Sequence, residues 1–473
     1  MYKTTQEINP YIFRGYDIRG IVGDDLSEDV YYTLGKAYAV FLNQRRIKES
    51  VVGRDNRITS LDYSKALIKG LNDSGINTID LGLSLSQIVY FSCYEFKTKG
   101  GAMVTASHNP PNFNGLKLGV GYSETMITEE IIDLKNIVNR GEYLIGNGVN
   151  QEYDVYPAYK KDLLKYFDLN KKWKVVVDGC NTASGIFYPD IFKEIGMDVI
   201  EQNCRPDGNF PLGLPDPTET YVLERLSEGV KKHKADIGFA YDTDGDRMAV
   251  VDEKGNVLWM DTIVALFAQD VLESMPGSPI VFNALCSKQV SETIIAAGGK
   301  PIIWKTGHSF IKAKIREERS PFGGELSGHI FFTDNFYGHD DGAYASLRLL
   351  QFLERKRMNL SEAVYRLPQY ISSPEIKLGL ADDIKFKLID MELKDDLKSN
   401  WPDADFNSID GIRMDTDQEM AVIRASQNGP YITIKFESNS SEKYEELKSK
   451  LKEILIKYPE IDWSQGSNTH ALD

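Results

Sequence analysis

Cysteine is scarce in this chain: four among 473 residues, Cys93, Cys180, Cys204 and Cys286, widely spaced and with no C-x-x-C pair. That pattern excludes a disulfide framework and a cysteine zinc site, and predicts free thiols in a reducing, cytoplasmic setting. No stretch approaches the roughly 20 apolar residues needed to cross a bilayer, and the opening Met1-Tyr2-Lys3-Thr4-Thr5-Gln6-Glu7 has no signal-peptide character. Positive charge is also in short supply. Fifty-five Lys and Arg against 70 Asp and Glu leave a formal net charge of −15, so the bulk surface repels nucleic acid and anionic lipid, and neither is expected as a partner. An anionic small molecule would need a local basic pocket inside this acidic body. What is present is ordinary for a globular protein, 42% hydrophobic and 26% charged residues, in a chain too long for one core and predicting about three domains or a few more.

The stretch around which the rest is organised is Thr105-Ala106-Ser107-His108-Asn109-Pro110, followed by Pro111 and by Asn114-Gly115-Leu116-Lys117. Its feeder, Gly101-Ala102-Met103-Val104, is short and apolar, as a strand end is. Asn109-Pro110-Pro111 can neither extend a strand nor open a regular helical turn, so the backbone swings into a loop. The Ser107 hydroxyl is thereby presented at a strand tip, with His108 beside it and Lys117 shortly after. An ordinary turn would use the same residue types. Other stretches decide between these readings.

Three segments share one plan of strand, amphipathic helix, glycine stop and second strand. They run from Val51–Asp55 through Tyr63, Ala66, Leu67 and Leu71 to Gly75 and Ile76–Leu81; from Val175–Asp178 through Phe187, Ile191 and Ile195 to Gly196 and Met197–Ile200; and from Ile280–Asn283 through Val290, Ile294 and Ala297 to Gly298 and Ile302–Trp304. Such units favour parallel pairing, and three of them predict three topologically similar α/β domains. Past Leu367-Pro368 the character changes to acidic helical segments, two β-branched runs at Glu419–Arg424 and Tyr431–Phe436, a charged helix from Ser441 to Ile456 and a tail from Ser464 that reads as flexible. The predicted division is 1–154, 155–256, 257–367 and a smaller α+β domain, 368–473.

Four loops carry chemistry besides the opening Tyr11–Gly20, which sets Arg14, Tyr16 and Arg19 among glycines. Asp242-Thr243-Asp244-Gly245-Asp246-Arg247 empties an apolar strand into three carboxylates at alternate positions, which repel unless a hard cation joins them. Oxygen-only ligands favour Mg²⁺ over zinc. A calcium loop of the EF-hand type does not fit, because Arg247 stands where that loop needs Gly and Met248–Val251 reads as a strand. Gly324-Glu325-Leu326-Ser327-Gly328-His329 offers a carboxylate and a hydroxyl two apart, suited to adjacent sugar hydroxyls, while Thr306-Gly307-His308 follows a strand; His308 and His329 are two of only six histidines. Arg424-Ala425-Ser426-Gln427-Asn428-Gly429 is an anion nest between strands.

Taken together these loops resemble the α-D-phosphohexomutase superfamily, most closely its bacterial phosphomannomutase/phosphoglucomutase branch, over nearly the whole chain. The resemblance implies an α/β fold of three related domains with mixed sheets plus a C-terminal α+β domain, heart-shaped around a central cleft. It implies an enzyme, a cytoplasmic isomerase that interconverts hexose 1- and 6-phosphates of mannose or glucose through a phosphoserine and a hexose 1,6-bisphosphate, expected to act as a monomer on small phosphosugars. Ser107 matches the phosphoserine, which with Asp242, Asp244 and Asp246 would hold Mg²⁺. His108, Lys117, Arg19, Arg247 and His329 are the further catalytic candidates. Tyr16, Arg19, Lys117, Arg247, Thr306, Gly307, His308, Glu325, Leu326, Ser327, Gly328, His329, Arg424, Ser426, Gln427 and Asn428 are the substrate-binding candidates. The chain departs from the family pattern at Asn428-Gly429, at Leu212-Gly213-Leu214 and at Leu285, where a lysine is frequent and where Lys288 could substitute. Alternative readings are a phosphosugar phosphatase, a phosphoglucosamine mutase, and a binding protein without catalysis, which should have lost Ser107 or one of the three Asp.

Overall fold

In the computed structural model the described residues are 2–427 and 429–473. They form two compact units, Met1–Trp259 with Ser327–Glu362 and Met260–Leu326 with Ala363–Asp473. The first unit holds two mixed sheets. In one, Ile18–Ile21, Phe113–Gly121, Gly100–Val104, Glu49–Arg54, Asn77–Leu83 and Asn150–Glu152 lie side by side. The last four are parallel and the first two antiparallel. In the other, the order is Val257–Leu258, Met248–Val251, Ile237–Tyr241, Lys174–Asp178 and Asp198–Gln202, the last three parallel.

All three expected repeats are present. Helix Ser60–Asn72 buries Tyr63, Ala66, Leu67 and Leu71, the face its spacing predicts, and links two parallel strands. Helices Ser184–Glu194 and Lys288–Ala296 link their own parallel pairs and bury Phe187 and Ile191, and Val290 and Ile294; the expected Ile195 and Ala297 lie one residue past the helix ends and are half-buried. Helix Glu28–Gln44 starts where the Ser27 side chain accepts from the Val30 N–H, with Glu28 and Asp29 in the first turn. It crosses Ser60–Asn72 at a pair of glycines. A Cβ on Gly35 would stand 2.4 Å from the Leu67 carbonyl, and one on Gly70 would stand 2.3 Å from that of Tyr32, so only glycine permits this approach. Leu34, Leu42, Leu67 and Leu71 are fully enclosed around it, each worth about 1.5–3 kcal/mol of burial.

The second unit carries three parallel strands in the order Lys300–Trp304, Pro279–Asn283, Phe322–Gly324, and an antiparallel sheet of seven strands. That sheet includes the two expected strands, Glu419–Ala425 and Tyr431–Ser438, flanked by Ile412–Asp415 and Ile376–Gly379. Helix Ser441–Leu455 packs Leu447, Leu451 and Ile454 onto it. The expected flexible tail is corrected here. Asp462–Ser467 pairs with Ile376–Gly379 and the final turn buries Leu472 against the sheet's core, so backbone pairing and one apolar anchor order the end of the chain. No helix among the described residues is long and apolar enough to cross a membrane.

One element of the first unit yields a pH prediction. Asp341 caps helix Gly342–Lys356, accepting from the Tyr344 N–H at 3.0 Å and from the Tyr159 hydroxyl at 2.7 Å. Burial raises its carboxyl from 3.8 to about 6, a rise that these hydrogen bonds only partly oppose. Because the folded state binds this proton more tightly than the unfolded chain, the associated stability is full below 3.8 and lost as pH rises through about 6. The loss amounts to about 3 kcal/mol. Asp341→Asn keeps a capping oxygen and removes the charge. It is expected to raise the urea midpoint at pH 8 and leave it nearly unchanged at pH 4; equal shifts at both pH values would refute the assignment.

Candidate active site

The serine loop leaves the Gly100–Val104 strand and returns as Phe113–Gly121, so Ser107 sits just past the C-terminal end of an inner strand and Lys117 lies on the returning strand opposite Met103. Ser107 has φ +49°, a left-handed conformation uncommon outside glycine. The Thr105 hydroxyl accepts its N–H at 2.9 Å, and its own hydroxyl donates to Asp242 Oδ2 at 2.6 Å, with His108 Nδ1 at 3.3 Å. Arg19 braces the loop: Nε and Nη2 engage Asp17 at 2.9 and 2.8 Å, and Nη1 donates to the Ala106 carbonyl and, at 2.7 Å, to Asn109 Oδ1. Tyr16, next to Asp17 in sequence, is buried.

Asp242, Asp244 and Asp246 follow strand Ile237–Tyr241. The curl between them depends on Gly245, whose φ is +73° and where a Cβ would meet the Tyr188 hydroxyl at 2.6 Å. One oxygen from each carboxylate lies within 4.8 Å of the others, all three residues being buried. Lys117 Nζ donates to Asp244 at 2.6 Å and Asp246 at 2.5 Å, and the Ser86 hydroxyl reaches Asp244 at 2.6 Å. Burial first, then the neighbouring carboxylates, pushes Asp242 well up; burial and Asp244 raise Asp246. At Asp244 the effect of burial is outweighed by Lys117, which holds the group below the usual carboxylate range. The Oδ1 atoms of Asp244 and Asp246 are buried with no hydrogen-bond partner, so the cluster has spare hard-oxygen ligands. These fit a divalent cation of the Mg²⁺ type.

Arg247, next to the triad, donates from Nε to His329 Nε2 at 2.9 Å, and Asp340 Oδ2 lies 2.8 Å from the other ring nitrogen. A guanidinium only donates, so Nε2 is the acceptor of this hydrogen bond. Ser327 and Gly328 belong to this same unit, with the Gly328 carbonyl accepting from the Met248 N–H at 3.3 Å.

In the second unit, Glu325 accepts the Gly307 N–H at 2.6 Å, joining the two expected sugar loops, while His308 opens helix His308–Glu318. Two residues that sequence reasoning missed complete the network. Asn283 donates to the Thr306 hydroxyl at 3.1 Å and accepts from the Leu326 N–H at 3.0 Å. Asp410 accepts from the Thr306 N–H at 2.9 Å and from Arg424 Nε at 2.7 Å, tying the phosphate loop to the Thr306 loop. Ser426 is buried and Gln427 half-buried beyond Arg424, and Asn428 lies outside the described residues. Lys288 does not replace the missing lysine at Leu285: Leu285 is buried, and the Lys288 ammonium donates to the Thr416 carbonyl beside Asp415 and Asp417. A third residue missed from sequence is Arg57, whose guanidinium collects carbonyls of the serine loop. Its only sequence signal is its place just past strand Glu49–Arg54.

Three α/β sheets, a further antiparallel sheet, and a buried serine hydrogen-bonded to a carboxylate triad define the class as the α-D-phosphohexomutase superfamily. Models of phosphoglucomutase/phosphomannomutase alpha/beta/alpha domains I, II and III match residues 10–144, 157–255 and 259–370. The chain is 36% identical over 438 residues to a Pseudomonas aeruginosa phosphomannomutase/phosphoglucomutase, covering 93% of this chain and 94% of that one. It is 34% identical over 455 residues to a Neisseria gonorrhoeae phosphoglucomutase, covering 96% and 98%. The crystal structure of a Burkholderia thailandensis phosphoglucomutase/phosphomannomutase family protein superposes with a TM-score of 0.86 at 32% identity, over 95% of this chain and 97% of that one. The chain belongs to the phosphoglucomutase/phosphomannomutase family, in its bacterial branch.

Proposed function

We propose that this mutase interconverts hexose 1-phosphate and hexose 6-phosphate for mannose and glucose alike, with Ser107 as phosphoryl carrier and a hexose 1,6-bisphosphate as intermediate. The observation that carries the proposal is the Ser107 hydroxyl, 2.6 Å from Asp242 in a buried cluster of three carboxylates and one lysine. Ser107, Asp242, Asp244 and Asp246 would hold Mg²⁺, which when bound neutralises charge on a transferring phosphoryl group.

The chain's own groups do the rest. Burial and Asp242 hold the Ser107 oxygen in one orientation, and Lys117, fixed as a cation by Asp244 and Asp246, supplies positive charge beside the transferred group. Arg247 adds a second cation and orients His329, our candidate proton carrier, by occupying Nε2 while Asp340 faces Nδ1; His308 is the second candidate and His108 shapes the serine's surroundings. Glu325 and Ser327 grip neighbouring sugar hydroxyls, and Arg424 and Ser426 hold the phosphate that is not transferring. The phosphoryl passes from Ser107 to O1 or O6, and the bisphosphate returns its other phosphate after reorienting. A phosphatase would let water intercept phosphoserine; the mutase reading is favoured by family membership and by the separate sugar and phosphate loops. We read the enzyme as a cytoplasmic monomer acting on small phosphosugars, with no nucleic acid or membrane partner.

Specificity tests this reading. A substrate that binds both ways round is gripped only by contacts available in both orientations, and O3 and O4 are alike in glucose and mannose. Coupled assays are therefore expected to give comparable kcat/KM for glucose and mannose phosphates and poor turnover of N-acetylglucosamine phosphate, because the branch specialised for amino sugars usually has Gln where Leu326 stands. Glu325→Ala is expected to lower efficiency for both hexoses by similar factors. One lost buried partner costs about 1–3 kcal/mol, roughly 5- to 150-fold. Preference for one hexose by several orders of magnitude, or a Glu325→Ala effect confined to one, would overturn it.

A further inference from the structure

Arg57 has no place in the reaction described above, yet its guanidinium grips the loop on which that reaction depends. It is buried. Nη1 donates to the carbonyls of Pro110 at 2.6 Å and Phe113 at 3.0 Å, and Nη2 to those of Ser107 and Asn109, both at 2.6 Å. Nε stands 3.3 Å from Asp55 Oδ2, and the Phe210 ring centroid lies 5.0 Å from the guanidinium carbon. Asp55 is fixed in turn, accepting the Arg57 N–H at 3.0 Å and the Ser60 hydroxyl at 2.5 Å at the start of helix Ser60–Asn72. One planar cation thus gathers four carbonyl oxygens from a stretch interrupted by two prolines. Carbonyls left without a donor away from water are costly; those of Ser107, Asn109 and Pro110 lie outside any strand, and that of Pro110 also accepts the Phe113 N–H at 3.0 Å.

The grip does more than satisfy carbonyls. Ser107 is held at φ +49°, where a residue with a Cβ stays only if its surroundings over-determine it. The direction of the Ser107 carbonyl follows ψ of Ser107, so the Nη2 contact fixes the other dihedral of that residue. With both dihedrals set, the Cα–Cβ bond has one direction, the one that places the hydroxyl 2.6 Å from Asp242.

We infer that Arg57, backed by Asp55, is a positioning residue for the phosphoryl-carrying serine: it locks the 107–113 loop so that the Ser107 oxygen stays in line for transfer. The inference rests on the carrier role proposed for Ser107. Arg57 acts through loop backbone, not on the sugar phosphate, and none of the hydrogen bonds just described reaches a sugar- or phosphate-loop residue. Its removal should therefore be felt in turnover and not in substrate binding.

The test is Arg57→Lys. An ammonium can still pair with Asp55, which protects folding, but it is a point charge with no fork to bridge four spread oxygens. Expected are a kcat lower by about 100-fold, the scale of an ångström's misplacement of a reacting group. KM for glucose 1-phosphate should stay within about threefold, the split that marks loss of an interaction absent from ground-state binding. Faster hydrogen exchange should appear at the amides of residues 106–109, 112 and 113. Wild-type kcat, a raised KM with unchanged kcat, or unaltered exchange in the loop would each overturn the inference. If Arg57→Lys fails to fold, Arg57→Gln, neutral and of similar reach, is read by the same three measures. Ser107→Ala separates this inference from the reading beneath it. Should Ser107→Ala keep full activity while Arg57→Lys loses it, the carrier role is wrong and the loop-positioning role survives. An inactive Ser107→Ala beside a fully active Arg57→Lys means the opposite: the carrier role stands and the positioning role falls.

Discussion

Replacing Ser107 by alanine is expected to lower turnover of every hexose phosphate by at least about a thousandfold, and to remove one phosphate's mass from the isolated protein. At about 1.36 kcal/mol per decade this is about 4 kcal/mol of lost transition-state stabilisation. The size follows from the carrier role proposed for the side chain. Without the hydroxyl there is no acceptor to store the phosphoryl group between the two half-reactions, and the sugar's own hydroxyls cannot replace an oxygen fixed 2.6 Å from Asp242. The fold should survive, because alanine fits the same space and is no more strained at φ +49° than serine. Ser107→Thr should also be severely impaired, since a β-branched side chain is a poor occupant of that backbone region. Intact mass and coupled kinetics check both variants. Retention of full activity by Ser107→Ala would remove the serine from the mechanism.

Much of this was legible in the sequence because its determinants are local. The glycine that ends each repeat helix, the apolar spacing of Tyr63, Ala66, Leu67 and Leu71, and the alternating Asp242, Asp244 and Asp246 each announce a structure within a dozen residues. What was missed depends on distant partners. Arg57 owes its role to carbonyls some fifty residues later; Asp410 to Thr306; Asn283 to Leu326. A sequence window shows these only as a polar residue after a strand or within a loop. The C-terminal sheet was half legible for a related reason. Glu419–Ala425 and Tyr431–Ser438 are buried and β-branched, whereas Asp405–Asn407 and Asp462–Ser467 are short and polar and become strands only because a neighbour offers its backbone. Lys288 misleads in the opposite sense: one helical turn from Leu285 looks equivalent in sequence, but its ammonium is taken by the Thr416 carbonyl.

The second large effect is expected from Lys117→Met, and it concerns stability as well as catalysis. The Lys117 ammonium is buried 2.6 Å from Asp244 and 2.5 Å from Asp246, and burial, which alone would lower its pKa, is outweighed by these carboxylates, so it stays charged. Methionine fills similar space but leaves three carboxylates crowded together with less counter-charge. Removing one partner from a buried ion pair costs about 3–5 kcal/mol, and here two acids lose the same partner. The loss should be largest in chelator, where nothing else neutralises the cluster. Because the unsatisfied Asp244 and Asp246 oxygens are suited to a divalent cation, added Mg²⁺ should restore stability. A ligand at 100 times its dissociation constant returns about 2.7 kcal/mol. The thermal midpoint of Lys117→Met should therefore depend on Mg²⁺ more steeply than that of the wild type. Activity should stay low even at saturating Mg²⁺, since in the proposed mechanism the ammonium also supplies charge to the transferring phosphoryl group. Thermal unfolding of both proteins across a Mg²⁺ series decides the matter: parallel dependence in wild type and variant would mean that Lys117 contributes packing rather than counter-charge, and that the three carboxylates do not share one cation site with it.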